Sequence, residues 1–334
     1  MRLTLLVALL IASLPFYSLS FTIAVVGKTK NDSFYQQSFQ GCLEFAKSHT
    51  EVKCIYDGSN DYQDVRTQVL VVKELLQKNI DALLVSTTDS NFLVEGALKL
   101  ARARDIPVVT FDSDLLSPYE AYRLAYVGTN NFDFGVALGN AAKLYRTQTP
   151  QPVCIQTGHA TTPNLNERIE GVRFALSGQS KNRLDGSSGW IEHARCPLFT
   201  IGKRDVALKQ LVTIISEPIP PIFIAVAGFA QFNSEYSKKI SPHKAKIAGQ
   251  SITIISADTE LGQLDILKQG LSTVNIGQNP FDMGRKGAEL LYQWRINGIK
   301  PKQDKYFLQF HYCTQDNVEQ CLVTATNDKS RDND

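Results

Sequence analysis

The sequence lacks most of the features that mark enzymes and nucleic-acid-binding proteins. Gly-x-Ser-x-Gly, His-Glu-x-x-His and P-loop patterns are absent, and no two cysteines stand as Cys-x-x-Cys. The five histidines form no ligand-spaced cluster, which disfavours a metal site. The formal net charge is only +2, so no basic face for nucleic acid is indicated. We therefore predict no catalytic activity, no metal or cofactor, and no nucleic-acid partner.

Beyond its N-terminus the chain also lacks an apolar run of the about 20 residues that span a bilayer. At the N-terminus, Met1-Arg2 precedes the almost wholly apolar residues 3–15, and the small residues Ser18 and Ser20 follow. This pattern is typical of a secretory signal peptide. We expect residues 1–20 to be cleaved and the mature protein to be exported to the periplasm, with an uncleaved membrane anchor as the alternative.

Six cysteines are present, an even number in a chain that we expect to be exported. An oxidising compartment permits disulfides, and six cysteines can pair in 15 ways. Joining neighbouring predicted elements favours Cys42–Cys54, Cys154–Cys196 and Cys313–Cys321. Buried free thiols are the alternative, above all for the middle pair.

Strand-like and helix-like segments alternate from residue 21 onward. The β-branched run 21–26 precedes an amphipathic helix over 33–49, and the alternation continues to a strand over 106–111. It restarts at 125–128 and ends in a long helix over 281–294. Such alternation predicts βαβ units and parallel sheets, and 334 residues leave room for two of them. Open sheets of this kind bind ligands at the carboxyl ends of their strands.

Four stretches give this layout a more specific meaning, and they occur in a fixed order. They are Lys28–Tyr35, Ile80–Asp89 followed by Asp105–Asp112, Tyr126–Asn131, and Asn166–Phe174. In order and spacing the chain resembles the type I periplasmic solute-binding family, whose members include ribose-binding-like components of sugar ABC transporters. The resemblance implies two Rossmann-like lobes joined by a three-strand hinge.

The resemblance also implies domain boundaries. The hinge strands fall near 127–131, 277–280 and 306–310. The N-terminal lobe then comprises residues 21–128 plus 279–306, and the C-terminal lobe comprises 129–278 plus 307–334.

The first lobe offers four candidate ligand contacts at predicted strand ends. Phe34 and Tyr35 match the family's stacking aromatics, which pack against the apolar C–H patches of a sugar. Asp32 matches a polar contact, although an aspartate there also suits a helix N-cap. Asp112 matches an aspartate that holds sugar hydroxyls. Ser113 stands where many relatives carry an arginine, so one strong donor is missing.

The second lobe offers three more candidates. Arg168 matches a binding arginine at the start of a helix, with a surface salt bridge to Glu167 or Glu170 as the alternative. Asp258 matches a pocket aspartate after a strand, and Gln278 matches a hinge residue that touches ligand. Ala227-Gly228 replaces the family's common Asn-Asp, and three nearby side chains are the candidates to compensate: Phe229, Gln231 and Asn233.

These features predict a protein that binds a small polar ligand, a sugar or a sugar-like molecule, in a cleft that closes by hinge motion. Its membrane partner is then the permease of an ABC transporter. The altered positions Ser113 and Ala227-Gly228 support an alternative, in which a receptor subunit presents a bound signal, a sugar or an autoinducer, to a membrane sensor kinase or cyclic-dinucleotide enzyme.

Overall fold

A computed structural model describes residues 20–60 and 62–322 of the chain. The first sheet is built almost entirely from the N-terminal third of the sequence. Its strands are β1 (Phe21–Thr29), β2 (Val52–Ser59), β3 (Ala82–Val85), β4 (Val108–Phe111), β5 (Ala125–Gly128) and β12 (Lys305–Phe307). All neighbours are parallel, in the order β12-β5-β4-β3-β1-β2.

The second sheet takes its strands from the rest of the chain. They are β6 (Gln151–Thr157), β7 (Trp190–Glu192), β8 (Leu198–Phe199), β9 (Ile222–Ala225), β10 (Ile254–Ala257), β11 (Val274–Gly277) and β13 (His311–Cys313). The order is β13-β11-β10-β9-β6-β7, with β8 also paired to β6. Strand β13 is antiparallel to β11, whereas the other pairs are parallel. The prediction of an α/β fold with two mainly parallel sheets is confirmed.

Helices connect the strands and cover both sheets. The α-helices are α1 (Ser33–Lys47), α2 (Val65–Gln77), α3 (Ser90–Leu93), α4 (Lys99–Ala103), α5 (Asn131–Lys143), α6 (Pro163–Ser177), α7 (Arg204–Ile215), α8 (Tyr236–Ile240), α9 (Lys244–Ala248), α10 (Leu261–Lys268) and α11 (Pro280–Asn297). A π-helical turn over Val94–Leu98 joins α3 to α4.

The central strands are buried on both faces, which explains why they read as continuous apolar runs. In β1, Ile23 and Val25 pack into one cluster with residues of α1 and α11. Ala24 and Val26 point to the opposite face and pack with residues of α2 and α3. This alternation follows from the two-residue period of a strand. The second sheet has its own core around β6, β9 and β10.

The chain passes between the sheets three times. It leaves β5 and continues into α5, which packs on α6 and the second sheet. It returns from β11 into α11, which packs on α1 and the first sheet. It passes last from β12 to β13. Each sheet with its helices is called a lobe below. The lobe boundaries given above stay a prediction, and of the predicted signal peptide only residue 20 lies among the described residues.

Three disulfides lie within the lobes. Cys42–Cys54 joins α1 to β2, and Cys154–Cys196 joins β6 to the segment before β8. Cys313–Cys321 fixes the chain after β13. These are the pairs that the sequence analysis favours.

Candidate functional site

A small cavity lies between the two lobes, where the carboxyl ends of strands from both sheets meet. Its volume is about 30 Å³, room for about two water molecules. All seven residues selected from the sequence line it: Asp32, Phe34, Tyr35, Asp112, Arg168, Asp258 and Gln278. The fold therefore brings together side chains that lie far apart in the sequence.

Asp112 is the most heavily bonded of these side chains. It follows β4 directly, in a left-handed conformation with φ of 58°. Its Oδ2 accepts hydrogen bonds from Tyr35 Oη at 3.1 Å and Ser86 Oγ at 2.8 Å. Its Oδ1 accepts one from Asn164 Nδ2 at 3.0 Å. With these donors in place, little of the carboxylate is left for a ligand.

Two buried cations also neutralise Asp112. Lys28 Nζ lies 3.1 Å from its Oδ2, and Arg168 Nη2 lies 3.6 Å from its Oδ1. Burial alone would raise the pKa of Asp112, but Lys28 and then Arg168 lower it below its usual value. The carboxylate is therefore charged at neutral pH.

Lys28 is the principal residue that sequence reasoning missed. It is the penultimate residue of the buried strand β1, and only 1% of its surface is exposed. Nζ donates to Asn164 Oδ1 at 2.8 Å, a contact between the two lobes. Burial lowers the pKa of Lys28, an effect that the charge of Asp112 opposes. A lysine within an otherwise apolar strand was the available signal, because such a residue needs an acidic or polar partner.

Arg168 has a partner for each side of its guanidinium. Nε donates to Asn131 Oδ1 at 2.8 Å, Nη1 to the Val226 carbonyl at 2.9 Å, and Nη2 to Gln278 Oε1 at 2.8 Å. The side chain is 2% exposed, so the alternative of a surface salt bridge with Glu167 or Glu170 is wrong.

The helix that carries Arg168 also begins earlier than predicted. We expected Arg168 at the start of the helix, whereas α6 begins five residues earlier, at Pro163. Proline is favoured at the first helical position, because a backbone N–H there has no partner within the helix and nothing is lost when it is absent. Arg168 is therefore the sixth residue of the helix and not an unpaired cation at its N-terminus. The early start also places Asn164 and Leu165 at the cavity.

Asp258 and Gln278 continue the polar network towards the hinge. Gln278 Nε2 donates to Asp258 Oδ1 at 2.9 Å while its Oε1 accepts from Arg168. Among the described residues, the other carboxylate oxygen of Asp258 accepts one long contact, 3.4 Å, from the backbone N–H of Gly228. Burial raises the pKa of Asp258, and Arg168 opposes this only in part. Asp258 therefore has more capacity than Asp112 to accept a hydrogen bond from a ligand.

Asp32 caps a helix and also lies at the cavity, and its role as a ligand contact stays a prediction. Its Oδ1 accepts from the Phe34 amide at 3.1 Å, which makes it the N-cap of α1, and it also lines the cavity. Burial is the main cause that raises the pKa of Asp32 to about 6. Phe34 and Tyr35 likewise both pack in the core of the first lobe and line the cavity.

The departure at Ala227-Gly228 contributes to an apolar part of the cavity wall, whereas Ser113 is not among the lining residues. Ala227, Gly228, Phe229 and Phe232 form this part of the wall. Of the three side chains considered as compensation, Phe229 reaches the cavity. Gln231 is instead buried against other amides, where its Oε1 accepts from Gln263 and Asn275, and Asn233 accepts from the Glu235 amide.

Across residues 20–60 and 62–322, no group of three or more His, Cys, Asp and Glu side chains is arranged to hold a metal ion. Over the same ranges no helix combines the length and apolarity that a membrane crossing needs.

Comparison with known proteins identifies the family. The sequence model of the family described as "Periplasmic binding protein domain" matches residues 23–297. The chain belongs to this family of periplasmic binding proteins, as the resemblance in the sequence predicted.

Curated relatives match over parts of the chain. The D-ribose/D-allose-binding protein of Pseudomonas aeruginosa is 26% identical over 172 residues, which are 50% of this chain and 53% of that protein. The ribose import binding protein RbsB of Bacillus subtilis is 35% identical over 92 residues, 28% of this chain and 29% of that protein. The matched segments thus span about half or less of the length of these relatives.

Solved structures share the fold over nearly the full length. An ABC transporter solute-binding protein of Agrobacterium vitis, bound to α-D-tagatopyranose, superposes with a TM-score of 0.76 at 21% identity. The match covers 91% of this chain and 98% of that one. A carbohydrate transporter of Acidothermus cellulolyticus in complex with myo-inositol has a TM-score of 0.72 at 19% identity, covering 92% and 99%.

Proposed function

We propose that this protein binds a small polar ligand, a sugar or a sugar-like molecule, in the cleft between its lobes and delivers it to an ABC transporter. The observation that carries the proposal is the cavity itself, where aromatic rings lie beside Asp258, Arg168 and other planar polar groups from both lobes. Rings that pack on C–H patches and paired donors and acceptors suit a polyhydroxylated molecule. The names of the relatives point to the same ligand class.

Binding is coupled to closure of the cleft. Lys28–Asn164 and Asp112–Asn164 join the lobes directly, and both contacts form only when the cleft is shut. Ligand pockets usually measure about 300–1,000 Å³, so a sugar enters only if the lobes or these side chains move. A ligand that contacts both lobes then shifts the population to the closed form.

The closed cleft is suited to binding a ligand and not to catalysing its reaction. The side chains at the centre of the cleft are held by one another, and a closed cleft excludes water from the ligand's hydrogen bonds, which makes them selective. We therefore propose a binding protein and not an enzyme, with a membrane permease and no nucleic acid as its partner. Export to the periplasm after cleavage of residues 1–20 belongs to the same proposal, and it is supported by the three disulfides, since such bonds persist in oxidising compartments.

The apolar wall at Ala227 and Gly228 favours the second candidate, a receptor subunit that presents a bound signal to a membrane sensor. A wall without polar contacts suits a ligand with fewer hydroxyls than a hexose. The two candidates share one binding mechanism and differ in partner.

A thermal-shift screen of the mature protein tests the ligand class. Pentoses, hexoses, polyols and autoinducer signals are added singly, because a ligand that binds only the native state raises its melting temperature. A shift with one or more sugars or polyols, in which the ligand is recovered unchanged, supports the proposal. A shift with an autoinducer alone supports the receptor, and turnover of the ligand would contradict both.

A further inference from the structure

Gln63 is a first-lobe residue that reaches into the second lobe. It lies between β2 and α2, one residue before Asp64, the N-cap of α2. Its backbone N–H donates a hydrogen bond to the carbonyl oxygen of Ile201, in the second lobe, at an N···O distance of 3.0 Å. Its side chain is buried, with 5% of the residue exposed, and it lines the interlobe cavity.

Two glycines of the second lobe make room for this side chain. Gly158 follows β6 and Gly202 follows β8. A Cβ atom at Gly158 would lie 2.5 Å from Gln63 Oε1, and one at Gly202 would lie 2.9 Å from Gln63 Cγ. Real Cβ atoms essentially never come within 3.0 Å of such neighbours. A larger residue at Gly202 would therefore displace Gln63, and one at Gly158 would displace Gln63 together with Leu165, whose Cδ1 would lie 2.7 Å away.

The oxygen that Gln63 carries into this socket has no partner. Oε1 is buried and makes no hydrogen bond within the described ranges 20–60 and 62–322. A buried acceptor without a donor costs about 1–3 kcal/mol. Nine buried side-chain atoms of the described residues lack a hydrogen-bond partner, and Gln63 is the one residue among them that lines the cavity. The cavity beside it is the place from which a donor can come.

We infer that Gln63 is a specificity-determining residue with two roles in the closed form. It holds the two lobes together, a contact called the latch below, and it forms a hydrogen bond with the ligand. Its side chain occupies the Gly158–Gly202 socket only when the lobes meet, and its Oε1 accepts a hydrogen bond from a hydroxyl group of the ligand. The inference rests on the proposed function for its ligand, but the latch is a property of the protein alone. It also explains how a loop outside the strand ends can select among sugars.

Calorimetric titration with D-ribose, D-allose and D-tagatose tests the ligand contact. Gln63→Met keeps the length of the side chain but removes the acceptor, so it should weaken binding of the sugar that the wild type binds by about 3- to 10-fold. Gln63→Ala, which also empties the socket, should weaken it further. Gln77→Met, on the exposed end of α2, is the matched control and should bind as the wild type does. Wild-type affinity in Gln63→Met would overturn the ligand contact.

Hydrogen exchange of the unliganded protein tests the latch separately. Gly158→Ala should speed exchange of the Gln63 amide by about fivefold or more, because its methyl group expels Gln63 from the socket and breaks the bond to Ile201. Adding Gln63→Ala to Gly158→Ala should restore slow exchange at residue 63. Exchange of the wild-type Gln63 backbone N–H at the unprotected rate would overturn the latch, as would equal rates in a protected wild type and Gly158→Ala. If the latch is present but no sugar binds the wild type, the proposed function fails while the latch stands.

Discussion

Asp112 and Asp258 occupy matching positions in the two lobes. Each directly follows a central strand, β4 or β10, in a left-handed conformation, with φ of 58° and 74°. Each donates its amide N–H to a carbonyl of the next strand, Asp112 to Val127 and Asp258 to Ile276. Aspartate tolerates this conformation better than most residues, and strained positions of this kind cluster at binding sites. Each lobe thus places an aspartate of the same backbone conformation at the cavity. The surrounding charges differ, because Lys28 and Arg168 neutralise Asp112, whereas Asp258 can still accept a hydrogen bond from a ligand.

Replacing Asp112 should show how much the buried charges depend on it. Asp112→Asn keeps the shape but leaves Lys28 and Arg168 without their common counter-charge, which should lower the free energy of unfolding by about 3–5 kcal/mol. Urea denaturation measures the loss. Asp105→Asn is the matched control, since Asp105 is also left-handed but exposed, and it should change stability by less than about 0.5 kcal/mol. A small effect at Asp112 would show that the network is not energetically coupled.

Replacing Lys28 should raise the pH at which acid begins to destabilise the folded protein. The pKa of Asp112 is lowered in the folded state, so its contribution to stability is present above the unfolded pKa and is lost as pH falls through the folded pKa. Lys28→Met takes away its nearest cation, so the pKa of Asp112 rises and the acid loss of stability should begin at a higher pH. Melting temperatures between pH 3 and 7 measure this. Lys30→Met, at a half-exposed lysine paired loosely with Asp57, should leave the profile unchanged.

Asp32 should impose the opposite pH dependence. Its folded pKa of about 6 lies above the ordinary aspartate pKa of 3.8. Between these values the folded state keeps a proton that the unfolded chain has lost, so this group reduces stability as pH rises from about 4 to about 6. Asn also caps helices well, so Asp32→Asn should gain stability relative to the wild type across this interval.

Asp64→Asn provides the control of opposite sign. Asp64 caps α2, and hydrogen bonds from backbone amides, chiefly that of Thr67, lower its pKa. Its stabilisation is present above the unfolded pKa and is lost at acid pH. This variant should therefore lose stability relative to the wild type as pH rises. The two variants are compared by melting temperature at about pH 2.5, 4 and 6. The difference between Asp64→Asn and the wild type should change between the first two values, and that of Asp32→Asn between the last two. No change for Asp32→Asn between pH 4 and 6 would contradict the assignment of Asp32.

Arg168→Lys should separate charge from geometry in the site. A lysine keeps the positive charge but cannot supply the fork that reaches Asn131, Val226 and Gln278 at once. The thermal shift given by the ligand should fall to near zero, because the second-lobe wall loses its shape. Arg295→Lys, a surface substitution, is the control. An unchanged shift in Arg168→Lys would remove Arg168 from the site.

The sequence predicted most of the fold because its strands are apolar on both faces and its helices are amphipathic. It missed β7 and β8, which have three and two residues, too few to show a period. It also predicted Arg168 at the start of its helix, since the apolar pattern of α6 begins only after Pro163 and Asn164.

The site was harder to predict than the fold. Strand-end aspartates and aromatics carry a local signal, but the role of Lys28 depends on Asn164, 136 residues away. The position of the Gln63 side chain likewise depends on the space left by Gly158 and Gly202, which lie far from it in the sequence. No local pattern contains such information, because tertiary contacts alone create it.

The positions of the disulfides bear on how the protein moves. Cys42–Cys54 staples elements of the first lobe, and the other two bonds staple elements of the second. Covalent cross-links placed in this way stiffen each half as a solid body while leaving rotation about the connecting strands unrestrained. Under the proposed function, the disulfides should therefore strengthen each lobe without restraining the opening of the cleft.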